Sequence, residues 1–164
     1  MNVLAGAGSI EARHAYLRKE SMLSIVINSV LSLLFFLVVF GVDPAGAVRL
    51  GGVGGYAIDF LPQSFMVALM SALVPGVITG ARIRGGKIAG APEATGALAA
   101  RSMLTAVLAL IVGGAIAFVL SLLTGNTALA WFPALVAKIV YGAILAAIVT
   151  PVGLRAALRQ TVFH

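Results

Sequence analysis

The chain has 164 residues, of which 61% are hydrophobic and 10% charged, with a net charge of +6 and a mean hydropathy of +1.11. Soluble domains run about 45–50% apolar and about 25% charged, and a chain this small buries too little of its surface to hide the excess, so lipid must cover the rest. The positive charge reads as basic loops at an anionic membrane face and not as a nucleic-acid surface, because no basic run is interleaved with aromatics. Cysteine is absent, which removes disulfides, thiolate metal sites and thiol nucleophiles. His14 and His164 lie outside the apolar segments, which excludes a membrane haem held by two helix histidines. No cofactor and no metal are expected.

In chain order, residues 1–21 read as a polar cytoplasmic segment. Ser9 is placed to cap a short helix through Glu20, with Ile10 and Leu17 on one side. Residues 22–40 form the first uncharged span. The apolar run exceeds the ~7–15 residues of a signal peptide, so it is read as a retained helix despite the small-residue site at Ala45-Gly-Ala47. Residues 41–59 form a loop in which Gly51-Gly-Val-Gly-Gly55 separates two short apolar runs, as in a small hairpin or a flexible loop. No Lys-Ser/Thr follows those glycines, so phosphate binding is a weak reading.

The second span covers 60–83. Pro62 lies in its first turn, and Pro75 towards its far end predicts a kink. The loop to Arg101, with Pro92 and Glu93, reads as irregular. The third span, 102–123, reaches Thr124-Gly125-Asn126. Its short link to the fourth span, 131–154, predicts an antiparallel helical hairpin. Trp131 is expected as an interfacial anchor and Pro151 as a second kink. Residues 155–164 form a tail. At ~1.5 Å per residue each span crosses the ~30 Å of a hydrocarbon core. The fold class is therefore all-α, a polytopic membrane protein with four transmembrane helices.

Basic residues are unevenly distributed. Arg13, Arg18, Lys19, Arg82, Arg84, Lys87, Arg101, Arg155 and Arg159 fall on one side and Arg49 on the other. The positive-inside rule then expects both termini and the middle loop in the cytoplasm, in what composition suggests is a bacterial inner membrane. The chain also echoes itself. Ser21-Met-Leu-Ser-Ile-Val26 resembles Ser102-Met-Leu-Thr-Ala-Val107, and Phe60-Leu-Pro62 resembles Trp131-Phe-Pro133. Ala72-Leu-Val-Pro75 and Ala147-Ile-Val-Thr-Pro151 sit near the exit of each pair. Two tandem helical hairpins of parallel orientation fit this echo.

Polar groups in lipid are costly and mark candidate sites. Ser24, Asn28 and Ser32 share one face of the first span, and Ser64, Ser71 and Thr79 one face of the second. Ala109, Gly113 and Ala117 line up in the third, and Ala134, Lys138, Gly142, Ala146 and Thr150 in the fourth. Such stripes serve close helix packing or a polar pathway, and packing is the favoured reading. Lys138 is the one charge inside a span, set either to snorkel to the surface or to pair with Asp59 or Asp43. Asn28 needs partners at its depth, such as Thr150 or Thr79. Asp59 and Gln63 are read as helix-start residues, with Asp59 as cap of the second span.

These features suggest a non-enzymatic accessory or assembly subunit that works by helix association, in a homo-oligomer or a larger membrane complex. The alternative is an oligomeric small-solute transporter that uses Lys138. A Ser64–Lys138 dyad is the one enzymatic arrangement available, and no elbow or oxyanion motif accompanies it.

Overall fold

The computed structural model of the chain describes residues 2–51, 55–87, 89–124, 127–158 and 161–162. Gly52 to Gly54 of the glycine cluster, Gly125-Asn126, Arg159 and His164 lie outside them. Four helices are long and apolar enough to cross a membrane. They are α1 (Asn2–Phe40), α2 (Phe60–Arg84), α3 (Thr95–Thr124) and α4 (Trp131–Ala157). Among the described residues four short strands accompany them: β1 (Ala47–Arg49), β2 (Ala89–Gly90), β3 (Ala128–Ala130) and β4 (Thr161–Val162). The chain is an all-α membrane protein.

Two helix starts differ from the pattern in the sequence. α1 starts at Asn2 and runs without interruption, so Ser9 is no boundary and no separate N-terminal helix exists. Residues 9–40 hold neither glycine nor proline, and nothing in that stretch breaks the helix. It stops at Gly41, whose φ of 70° and N–H bond to the Leu37 carbonyl (2.9 Å) form a left-handed cap. Likewise α3 begins at Thr95, ahead of Arg101, and the loop before it contains β2. Helices α2 and α4 continue through Pro75 and Pro151.

The strands pair across the two halves of the chain. β1 pairs antiparallel with β3, Val48 opposite Leu129, and β2 with β4. The first loop is therefore no self-contained hairpin: Ala47–Arg49 finds its partner in the link before α4. It still folds back on itself beyond that, since the Tyr56 and Ala57 amides donate to the Arg49 and Leu50 carbonyls at 2.9 and 3.0 Å.

Helix packing follows the same exchange. α1 lies along α4, with Phe36 against Trp131 at one end and Leu17 clustered with Leu154 and Leu158 at the other. α3 lies along α2, where Gly113 meets Ser64 and Gly76 meets Leu98. α2 and α4 pack on each other in the middle, while α1 and α2, and α3 and α4, touch only lightly. The expected hairpins are thus hairpins in connection and not in packing. A short link fixes direction, but buried small residues decide which helix is the neighbour.

These contacts describe an approximate two-fold axis between α2 and α4. The shift that carries Ser21 onto Ser102 carries Val48 onto Leu129, and it carries buried Leu17, Asn28, Ser32 and Phe36 onto buried Leu98, Ala109, Gly113 and Ala117. The shift that carries Phe60 onto Trp131 carries buried Ser71 onto Gly142 and Thr79 onto Thr150. The two shifts differ because residues 50–59 separate β1 from α2, whereas β3 runs directly into α4.

Candidate functional site: a polar column between α1, α2 and α4

Polar side chains collect on one side of this two-fold scaffold. The column starts beside β1 and β3. Every fourth residue of α4 faces inward here, which brings Lys138 between α2 and the 50–59 segment and leaves it 1% exposed. Its ammonium lies 2.6 Å from Asp59 Oδ2, itself 9% exposed. The approach is an ion pair by distance, and the nitrogen has no aligned hydrogen-bond partner among the described residues. Two ring faces complete the enclosure, Phe60 at 4.2 Å and Tyr56 at 5.0 Å from Nζ. Such contacts favour a desolvated cation. Lys138 therefore does not snorkel. Nor does Asp59 cap α2: it stands at the N-cap position with no side-chain cap bond, because its carboxylate serves the ammonium.

Tyr56 is held by a 2.9 Å bond from its hydroxyl to the Ala134 carbonyl. Burial, and then the charge of Asp59, push this phenol well above its usual range. Trp131 is also turned inward. Its Nε1 donates to the Gly41 carbonyl at 3.0 Å and its ring meets Phe36 edge-on, so it is a core residue and not the interfacial anchor its position suggested. The indole N–H thus finds its acceptor inside the fold.

The next level holds Gln63, which donates from Nε2 to Ser32 Oγ (2.9 Å) and to the Lys138 carbonyl (3.1 Å). Further down, Asn28 donates from Nδ2 to the Ser24 carbonyl (2.8 Å) and to Ser71 Oγ (3.1 Å), and Thr150 donates to Ser24 Oγ at 2.7 Å. Asn28 thus reaches Ser71 directly and Thr150 through Ser24, while Thr79 turns to the Tyr16 hydroxyl at 3.0 Å. The column ends where Arg82 donates to Glu20 at 2.6 Å and to Tyr16 at 2.9 Å. Glu20, Tyr16, Tyr56 and Phe60 were missed as site residues. Glu20 was findable, because it continues the stripe of Ser24, Asn28 and Ser32 by one more turn.

Polarity breaks the two-fold. Under the repeat, Asn28 corresponds to Ala109, Ser32 to Gly113, Gln63 to Ala134 and Lys138 to Val67, and Asp59 falls in the segment that the second half lacks. The Glu20–Arg82 ion pair corresponds to Arg101 and Gly153, where Arg101 donates to the Gly153 carbonyl at 2.9 Å and is paired with Glu93 at 2.8 Å. Ser64 and Lys138 do not form a dyad: the serine hydroxyl bonds to the Phe60 carbonyl and lies 2.6 Å from the Tyr141 hydroxyl.

Two amide oxygens in the column, Asn28 Oδ1 and Gln63 Oε1, have no hydrogen-bond partner among the described residues. Their side chains line two cavities in the shallow groove where α1 and α2 part, of about 60 and about 170 Å³, which share Met70. No group of His, Cys, Asp and Glu side chains that would hold a metal ion occurs among the described residues. No protein-family model, curated protein or solved structure matches this chain.

Proposed function

We propose that this chain is a non-enzymatic subunit of a bacterial inner membrane, with cytoplasmic termini, that acts by associating with another membrane chain. One observation carries the reading: of the two equivalent interfaces of a two-fold scaffold, one holds buried Lys138, Asn28 and Gln63 where the other has Val67, Ala109 and Ala134. Small residues bring the helices together on both sides of the scaffold, as at Gly113 against Ser64 and Gly142 against Ser32. The groups added to one side are internally braced, Lys138 by Asp59 and two rings, Arg82 by Glu20. A braced, enclosed lysine is ill suited to bind and release a solute at each cycle, which favours association over transport. Its column borders the groove between α1 and α2, the face this reading gives to the partner.

The second reading is small-solute transport. It is favoured by one feature: the polar side chains follow one another along the bundle from Asp59 to Glu20. Native mass spectrometry of the protein taken from its own membrane into lipid discs separates the two. Association predicts a stable mass that includes a second kind of chain, retained by the Lys138→Met variant if that variant folds. Transport predicts a homo-oligomer and solute flux in vesicles that Lys138→Met abolishes. A lone monomer without flux contradicts both.

A further inference from the structure

We propose that the α1–α2 groove receives a transmembrane helix of another protein that carries hydroxyl or amide donors one turn apart. The inference rests on the association reading and names the partner's chemistry. It starts from which atoms are left over. Asn28 Nδ2 bonds to the Ser24 backbone carbonyl and Gln63 Nε2 to the Lys138 backbone carbonyl. A backbone carbonyl only accepts, so the amide atom bonded to it is the nitrogen; both amides are fixed in orientation and the remaining atom in each is the oxygen. The side chains are 2% and 3% exposed. What each lacks is therefore a donor.

The levels of the two side chains along the bundle fit a helix. Asn28 and Ser32 are one turn apart on α1, ~6 Å, and Gln63 is bonded at the level of Ser32. Donors at i and i+4 on a facing helix repeat at the same interval. Depth points the same way. Asn28 is bonded to Ser71, in the middle of α2, where lipids offer acyl chains without donors. A second copy of this chain is a poor source as well: the well-exposed residues of its spans away from their ends are apolar, such as Val26, Val107, Ile111 and Ile144.

The groove walls can admit such a helix. Phe35, Met66 and Met70 line it, and Met70 borders both cavities. The two oxygens are covered, so a donor reaches them by displacing a side chain. Methionine is unbranched and adapts its shape to a partner, and Met66 and Met70 are 39% and 36% exposed at the groove mouth.

The test uses the full chain in lipid vesicles and two labelled synthetic helices of leucine and alanine, one with serines at i and i+4 and one without, with energy transfer to a dye on a single introduced cysteine. The serine helix is expected to bind about tenfold tighter, the effect of two interhelical hydrogen bonds. Met70→Ala is expected to keep or raise that preference and Met70→Trp to abolish it, with both variants checked for an unchanged unfolding midpoint. Equal binding of the two helices overturns the proposal, as does a preference that survives Met70→Trp. Competition by a long-chain alcohol as effective as the serine helix overturns it in favour of a lipid site. The association reading fails separately, if the native membrane yields no second chain whatever the synthetic helices do.

Discussion

At the scale of single residues, the enclosure of Lys138 has measurable consequences. Lys138→Met leaves the Asp59 charge buried among rings without its counter-ion, and breaking a buried pair from one side costs ~3 kcal/mol or more. Replacing both partners, Lys138→Met with Asp59→Leu, removes the stranded charge and is expected to recover most of that loss. Unfolding in mixed detergent micelles measures the cycle, and additive losses contradict a direct pair. Tyr56 gives a pH signature. Its phenol is raised in the fold, so its contribution to stability is complete below the ordinary value of about 10 and is lost as pH climbs past it towards the higher folded value. Tyr56→Phe is expected to flatten that alkaline loss, while giving up about 1 kcal/mol at neutral pH with the bond to Ala134. Equal alkaline slopes for the two proteins contradict it. Lys138 was legible as a site from its isolation in an apolar span. Its partner was not settled by sequence, because Asp59 and Asp43 lie in the same loop, and only the fold-back at Tyr56 brings Asp59 beneath α4.

At the scale of elements, the small-residue stripes act as contact surfaces of defined depth. A Cβ on Gly113 would strike the Ser64 hydroxyl, with the Phe60 carbonyl at 3.0 Å, whereas one on its neighbour Gly114 would meet only Leu61, at an ordinary 3.6 Å. Gly113→Ala is therefore expected to cost ~1–3 kcal/mol and Gly114→Ala close to nothing, read as shifts in the unfolding midpoint. Equal effects would mean that α3 does not lie on α2 as described. The spans were plain in the sequence because an uncharged run of sufficient length has few other uses. Their ends were less so: nothing between Ser9 and Phe40 breaks a helix, so the polar lead-in stays helical although it holds Arg13, Arg18 and Lys19. Neighbour choice was not legible either. All four stripes are small and mutually compatible, and it takes the β1–β3 and β2–β4 pairs to show that each half packs on the other.

At the scale of the molecule, the repeat and its asymmetry belong together. The echo of Ser21-Met-Leu with Ser102-Met-Leu marks the equivalent helices, and the 50–59 segment marks where the halves part ways by bringing Tyr56 and Asp59 to Lys138. On the proposed reading, only the α1–α2 groove is used for association, while its two-fold counterpart between α3 and α4 is covered by lipid. Leu31 borders the first groove, and the repeat carries it onto Val112 in the second, so the molecule supplies its own control. The decisive measurement places a photo-crosslinking amino acid at position 31 or at position 112 in living cells and reads the adducts by mass. One protein adduct of discrete mass is expected from position 31 and lipid adducts alone from position 112. The same adducts from both positions, or a protein adduct from position 112 only, would contradict it.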